Sequence, residues 1–299
     1  MTMQTKVLPT SFLLGLLSLF IGCSSVKSSQ SKENVMTAKK KIHVQLYSVR
    51  DDIQKDFTGT IEKIAQIGFT GIEAANYNDG KFYNLSPSKF KSAIEKTKME
   101  VLSSHVVKAL EPEVSKTNWN EIWKWWDKCI TDHKTAGMKY IVMPWMPTPK
   151  TLSELKSYCD YYNQVGERCN KAGIRFGYHN HNFEFIDIDG QRMYDYMVKN
   201  TDPTKVFFQM DVYWVVRAGQ SPVEYFQKFP GRFEILHIKD HKELGQSGMV
   251  GFDAIFNHAE QAGLKHIMVE VEEYNFPPIE SVRKSYNYLA ELKEVKYKY

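Results

Sequence analysis

The sequence predicts an α/β fold, a single-domain (β/α)8 TIM barrel, and three observations carry that reading. Eight short β-rich runs alternate with eight longer amphipathic stretches, the order expected of parallel βαβ units. Several of the amphipathic stretches end on a glycine just before the next run. Titratable side chains gather at the far ends of the runs, which is where the βα loops of a barrel begin.

The strand candidates are Ile42–Val49, Gly71–Ala75, Val101–Val106, Tyr140–Trp145, Ile174–His181, Val206–Asp211, Glu234–Asp240 and His266–Glu272. Helical stretches lie between and after them, at about Asp56–Gln66, Ser86–Thr97, Trp119–Ala136, Leu152–Ala172, Met193–Lys199, Pro222–Phe229, Phe252–Ala262 and Ile279–Leu292. Gly68, Gly137, Gly173 and Gly263 stand where a left-handed residue is needed to turn the chain back into the sheet. An open doubly wound sheet with an extra lobe is the competing topology. Eight βα repeats in one domain select closure, and the folded part of the 299-residue chain, expected from Ile42 to the end, fits the about 250 residues that such a barrel takes.

Ahead of that domain, Lys6 is followed by an apolar run, Val7 to Ile21, that closes on Gly22-Cys23. The pattern is that of a secretory signal, with a charged start, an apolar middle and a small residue before the cut. The run is shorter than the roughly 20 residues a membrane-spanning helix needs. Phe20-Ile21-Gly22-Cys23 resembles a bacterial lipoprotein signal, which would make 1–22 a signal peptide and Cys23 the lipidated first residue of the mature chain. An ordinary cleaved signal is the alternative. Ser24 to Lys41 is rich in Ser and Lys and almost free of apolar residues, as a flexible tether is. The expected organisation is therefore residues 1–22 signal, 23–41 lipidated cysteine and tether, and 42–299 catalytic barrel. It implies export and attachment to a membrane through lipid, on the periplasmic or cell-surface side.

A composition of 42% hydrophobic and 25% charged residues provides for a buried core, and the net charge of +4 is small. Basic and acidic residues alternate along the chain, so no clustered face for nucleic acid is expected. Cys129, Cys159 and Cys169 form no CxxC pair and are expected to be buried helix thiols.

The chemistry is expected at the strand ends. Glu270 and Glu272 are two apart and leave one face of the last strand, with Glu273 on the other. His237 intrudes into the apolar run Ile235–Ile238, and Asp211 closes Phe207-Phe208-Gln209-Met210 in the same way. Each residue alone has an ordinary explanation: a core histidine for His237, or hydrated carboxylates for the glutamates. Asp, His and Glu arriving from three neighbouring strands make a mixed N/O site suited to one divalent ion, Mn, Mg, Co or Zn. His179 and His181 share a face. One would be the fourth ligand, with His181 the first choice, and the other a substrate contact or proton carrier. Glu184 is a candidate for orienting a histidine or touching substrate, and His105 and Lys239 are further substrate contacts. Of the nearby aromatics Tyr47, Trp145, Tyr178, Tyr213 and Trp214, Trp214 is the one expected to stack on a sugar ring.

These residues resemble the xylose-isomerase-like barrel superfamily of sugar isomerases and epimerases, inosose dehydratase and the endonuclease IV group. The segments HVQLYSVRD, GIEAANY, GYHNHNFEF, MDVYWVVRAG, LHIKD and MVEVEEY carry the resemblance, in order, from Ile42 to the C-terminus. It implies a metal held at the ends of strands five to eight, here by His181 or His179, Asp211, His237 and Glu270. Many sugar epimerases of the superfamily have a glutamate on the fifth strand, where this chain has His-Asn-His. They also commonly place a histidine three residues after the sixth-strand aspartate, where this chain has Trp214.

The implied chemistry is proton abstraction beside a carbonyl through a metal-stabilised enediolate, with Glu272, His179 or Glu73 as the acid/base group. A sugar isomerase or epimerase is the first expectation. Elimination from a 3-keto-glycoside and a non-catalytic sugar-binding lipoprotein are the alternatives. No glycine-rich phosphate cradle is evident, so the expected substrate is a neutral carbohydrate rather than a sugar phosphate.

Overall fold

The computed structural model describes residues 40–111 and 113–296. Cys23, the signal segment and nearly all of the tether lie outside these residues. Eight strands, β1 (His43–Gln45), β2 (Gly71–Ala74), β3 (Glu100–His105), β4 (Tyr140–Met143), β5 (Arg175–His179), β6 (Val206–Asp211), β7 (Ile235–Ile238) and β8 (His266–Val269), form a closed parallel barrel in sequence order. Closure comes from β1 pairing with β8, His43 opposite Met268 and Val44 opposite Val269. Every predicted run overlaps one of these strands.

Most strands stop earlier at their C-terminal ends than the sequence suggests. β1 ends at Gln45, whose side-chain oxygen accepts the Tyr47 N–H and starts a single 3-10 turn at Leu46–Val49. β5, β7 and β8 end before His181, Lys239 and Glu270, so these polar residues ride on the loops above the strands rather than in the hydrogen-bonded ladder.

The outer layer is α1 (Arg50–Lys55), α2 (Phe57–Ile67), α3 (Pro87–Glu95), α4 (Trp119–Thr135), α5 (Leu152–Ala172), α6 (Met193–Asn200), α7 (Val212–Arg217), α8 (Pro222–Lys228), α9 (Phe252–Asn257), α10 (Ala259–Ala262) and α11 (Pro278–Glu291). The sequence reading missed α1 and α7, each six residues long, and joined α9 to α10 across His258. Side chains cap five of these helices: Asp56, Asn118, Thr151, Asp211 and Ser221 each accept the backbone N–H three residues on. At the other ends, Gly173 (φ 78°) and Gly263 (φ 79°) occupy the left-handed region. Lys40 donates from Nζ to the carbonyls of Leu289, Ala290 and Leu292 at the end of α11. The folded unit therefore begins two residues inside the expected tether, with a cation at a helix C-terminus. Cys129, Cys159 and Cys169 are free thiols buried on α4 and α5.

Alternation along the strands divides the apolar residues into two clusters. Outward-facing residues such as Val44, Ile72, Phe176, Phe208, Leu236 and Ile267 pack under the helices. Leu102, Tyr140, Val142, Phe207, Ile235 and Met268 form a separate cluster that plugs the barrel interior. The β2–β3 register shifts between Ile72 and Glu73, so Leu102 joins the plug while Ser103 joins the polar layer above it.

Gly166 marks the tightest approach of helix to barrel. A Cβ there would lie 2.2 Å from the backbone oxygen of Lys205, which leads into β6. Gly166→Ala is expected to gain about 1 kcal/mol of helix propensity but to lose about 1–3 kcal/mol to overpacking against backbone that cannot retreat. Urea denaturation should show net destabilisation. An unchanged midpoint would mean that the helix can lift without cost.

Candidate metal centre

Neighbouring strands bring polar side chains to one height at the barrel mouth. Asp211 on β6 pairs directly with His237 on β7, and Gln209 with His179 on β5. Glu270 follows β8 by one residue. Donor atoms of His179, Asp211, His237 and Glu270 all lie within 4.8 Å of one another, and all four residues are buried.

Each side chain is held by the chain around it. Asp211 caps α7, with Oδ1 accepting the Trp214 N–H at 2.9 Å. Its Oδ2 is buried without a partner. The Asn180 side chain accepts the Asp211 N–H at 3.2 Å. His237 sits between two carboxylates, Nε2 at 2.6 Å from Glu73 and Nδ1 at 3.2 Å from Glu270. His179 leaves Nδ1 buried and unpartnered. Buried polar atoms without partners are rare in folded proteins. Here two of them, on His179 and Asp211, belong to residues of the converging set. Two imidazoles and two carboxylates at this spacing fit a divalent cation, and a mixed N/O set suits Mn, Co, Zn or Mg.

The electrostatics agree. Burial pushes the Asp211 carboxyl up to about 8, with Glu270 adding to the rise and Lys239 opposing it. Burial acts against the charged form of Glu270 as well, but Lys239 and His237 outweigh it and hold that carboxyl at about 2. Burial opposes the imidazolium of His237, yet Glu73 and Glu270 raise it to about 10. His179 is driven far below the usual histidine range by burial and by His237 and His105 beside it. His181 falls to about 4, mainly by burial. Both are therefore neutral near pH 7.

Of the two fifth-strand histidines, the structure brings His179, and not the first choice His181, to the converging set. His179, the last residue of β5, joins the converging set, whereas His181 stands two residues higher in the loop, its ring 5.0 Å from that of His179 and 5.8 Å from that of Trp214. Its Nδ1 is also buried without a partner. Glu73 lies deeper than a group expected to meet substrate. It is completely buried and accepts from Gln45 Nε2 (2.8 Å), Ser103 Oγ (2.6 Å), Gln209 Nε2 (2.8 Å) and His237 Nε2 (2.6 Å), with His105 Nε2 3.1 Å away. Burial alone would raise its pKa, but His105 and His237 bring it well below the usual carboxylate range. Saturated by donors beneath the mouth, it has no free oxygen to take a proton from substrate.

Glu184 is likewise occupied. It accepts from Tyr178 Oη at 2.7 Å and from the His181 backbone N–H at 2.8 Å, so it fixes the loop that carries His181 rather than reaching a ligand. His105 stacks on His237, with ring centroids 5.2 Å apart. Lys239 is buried and ion-paired with Glu272 at 2.7 Å, its ammonium 5.7 Å from the Trp214 ring. Burial works against that charge, but Glu270, Asp211 and Glu272 raise its pKa overall. Trp214 is half-buried beside His181 and Lys239, and Glu272 remains partly exposed at the mouth. The sequence reading passed over Gln45, Ser103, Gln209 and Asn180. Gln209 carries the same signal as Asp211, a polar residue two places earlier in an apolar strand.

Residues 61–292 match the family described as the xylose isomerase-like TIM barrel. The chain belongs to this family. It is similar to the crystal structure of a sugar phosphate isomerase/epimerase from Parabacteroides distasonis, with 32% identity and a TM-score of 0.83 over 88% of this chain and 99% of that one. It shares its fold with the IolI protein, crystallised with a bound zinc atom, at 15% identity and a TM-score of 0.68 over 87% of this chain and 99% of that one. Inosose dehydratase of Geobacillus kaustophilus is 20% identical over 196 residues, which are 60% of this chain and 60% of that enzyme's length.

The buried groups fix the sign of the pH dependence above pH 7 for protein treated with a chelator. Glu184 rises from 4.5 to about 8, chiefly by burial, and Asp211 from 3.8 to about 8. Between their unfolded and folded values the folded state holds more protons than the unfolded one, so these two groups make stability fall as pH rises. His237, raised from 6.5 to about 10, adds stability that is full below 6.5 and lost toward 10. His133, His181 and His266, each lowered by burial to about 4, act in the opposite sense, chiefly below pH 6.5 where the unfolded chain takes up their protons. Urea unfolding at pH 7, 8 and 9 should show declining stability, with a shallower decline in Glu184→Gln. A stability that climbs from pH 7 to 9 would contradict the assignment.

Proposed function

We propose that the protein is a divalent-metal-dependent carbohydrate isomerase or epimerase that removes a proton from the carbon beside a carbonyl. The observation that carries this reading is the convergence of His179, Asp211, His237 and Glu270 within 4.8 Å at the mouth of the barrel. These four residues would hold the ion. A bound cation supplies positive charge that polarises a carbonyl and an adjoining hydroxyl.

The chain's own groups supply the proton transfers. His181 is neutral near pH 7 and its Nδ1 has no partner, so it can accept a proton from substrate carbon. Glu272, held by the Lys239 ammonium at 2.7 Å, stands beyond β8 at the other end of the β5–β8 arc. Acceptors at opposite ends of the ligand arc suit a reaction in which a proton leaves one side and returns on another. Return to the opposite face of the same carbon gives an epimer, and return to the neighbouring carbon an isomer. Trp214, beside both His181 and Lys239, supplies an aromatic face for a sugar ring.

A second reading, elimination from a keto-glycoside, draws support from the rim. Tyr47, Val107, Trp145, Ile186, Met249 and Phe276 are exposed large apolar residues, and all six lie in loops after barrel strands. A groove of about 450 Å³ beside the ends of β1 and β2 is lined by Tyr47, Arg50, Gln54, Asn76 and Asn84 among others. These features suit a substrate with a second ring or an apolar aglycone. Export and anchoring through Cys23 belong to the same proposal, and they agree with a neutral carbohydrate substrate.

Metal-loaded protein incubated in D₂O with aldo and keto sugars, including 3-keto-glucosides, separates the readings by NMR. Deuterium at one carbon with the skeleton retained supports isomerisation or epimerisation. Release of aglycone supports elimination. Binding without exchange or product would point to a sugar-binding protein and overturn the catalytic reading. His181→Asn and Glu272→Gln should each slow turnover by about 10²–10⁴-fold with metal stoichiometry unchanged.

The ion must displace protons from His237 and Asp211, so its affinity should rise with pH between 6 and 8. Calorimetry in buffers of different ionisation enthalpy should detect the released protons. Binding independent of pH would exclude these two residues as ligands.

A further inference from the structure

We infer that Glu73 is a positioning residue that fixes the ring of His237, so that Nε2 carries a hydrogen donated downward and Nδ1 is left facing Glu270 and the metal position. The inference rests on the metal-binding reading and deepens it.

The contacts beneath the ring fix where one hydrogen of His237 must sit. Glu73 is fully buried, and its donors are Gln45, Ser103, Gln209 and His237. An ionised carboxylate can only accept, so the 2.6 Å contact to His237 requires a hydrogen on Nε2. Nδ1, on the other side of the ring, lies 3.2 Å from Glu270 Oε2 and is the nitrogen available to an ion held by that carboxylate.

The donors are themselves fixed. Gln45 uses its side-chain oxygen on the Tyr47 N–H, which leaves its amide nitrogen for Glu73. Gln209 gives its amide nitrogen to Glu73, and its oxygen receives His105 Nε2 at 2.7 Å. His105 then lies flat against His237, the ring planes within 11° of parallel. Glu73 thus holds His237 directly and braces the ring stacked upon it. A carboxylate behind a ligating histidine sets both tautomer and ring orientation, and losing such a partner typically costs about 10–100-fold in metal affinity.

Cobalt(II) and zinc titrations of the full chain, wild type against Glu73→Gln, test the inference. The substitution keeps the side-chain volume, but the new amide can present an N–H where the Nε2–H of His237 needs an acceptor. Affinity should fall about 10–100-fold, and the visible spectrum of the cobalt form should change. Glu100→Gln, which alters a carboxylate at the opposite end of β3 held by His43 and Lys139 and touches neither Glu73 nor His237, should leave affinity and spectrum close to wild type.

If Glu73→Gln does not fold, ¹⁵N spectra of histidine-labelled, zinc-loaded wild type decide the matter. His237 should show a protonated Nε2 and a metal-bound Nδ1. Wild-type affinity in Glu73→Gln, or zinc on Nε2 of His237, overturns the positioning role while the metal centre stands. A wild type that binds neither ion overturns both.

Discussion

Carboxylates enclosed in a barrel interior are the constraint on which the rest of the structure depends. Glu73, Asp211 and Glu270 are all buried, within the reach of a shared set of histidines. Removing an ion from water carries an effective penalty of several kcal/mol, which only nearby opposite charge or a full set of donors can offset. Glu73 has the full set of donors. Glu270 has Lys239 and His237. Asp211 has one backbone donor and an oxygen with nothing opposite it, and its carboxyl is the one of the three in which burial outweighs the opposing Lys239 and His237. A cation bound among them would supply the missing charge, and metal occupancy and folding stability would then draw on the same interaction.

The barrel holds this arrangement by dividing labour along each strand. Inward residues form an apolar plug at Tyr140, Phe207 and Met268, a hydrogen-bonded polar layer at Gln45, Glu73, Ser103 and Gln209, and a layer above with free donor atoms. Outward residues of the same strands are apolar and bury the helices. The plug closes the bottom, and the polar layer fixes the rings above it. Asp211 has a double duty, as cap of α7 and as member of the converging set, so the local start of a helix aims a carboxylate oxygen into the mouth. Glu184 serves the loop in the same sense, tying the His181 backbone to Tyr178 beneath it.

The sequence revealed the alternation of elements and the polar intrusions at strand ends, because both follow from local periodicity. Asp211, His237 and Glu270 were legible for that reason. The choice between His179 and His181 was not, since a two-residue period puts both on one face and says nothing of height. Height depends on where the ladder ends, and β5 ends at His179. The depth of Glu73 was hidden for a related reason. It is one residue short of the end of β2, yet lies level with Gln209 and reaches His237 across the barrel. Strand stagger sets that depth, and it is a property of eight strands together. The short helices α1 and α7 escaped because six residues hold less than two turns of apolar period.

A histidine rather than a glutamate on the fifth strand changes more than one ligand. On the proposed metal reading, a set with His179 neutral would carry two negative charges, from Asp211 and Glu270, and a divalent ion would bring it to neutrality. A third carboxylate in that place would leave the occupied site negative and would oppose the negative charge that develops on a substrate oxygen as the neighbouring carbon loses its proton. The imidazole removes that opposition. On the proposed reading it would also remove from the ligand shell a carboxylate able to act as base, and proton transfer would shift outward to His181 and to Glu272 held by Lys239. The two departures from the epimerase pattern, His179 on β5 and Trp214 after β6, would then be connected: the ring of Trp214 packs beside His181, the group that would take over the proton, and beside the lysine paired with Glu272.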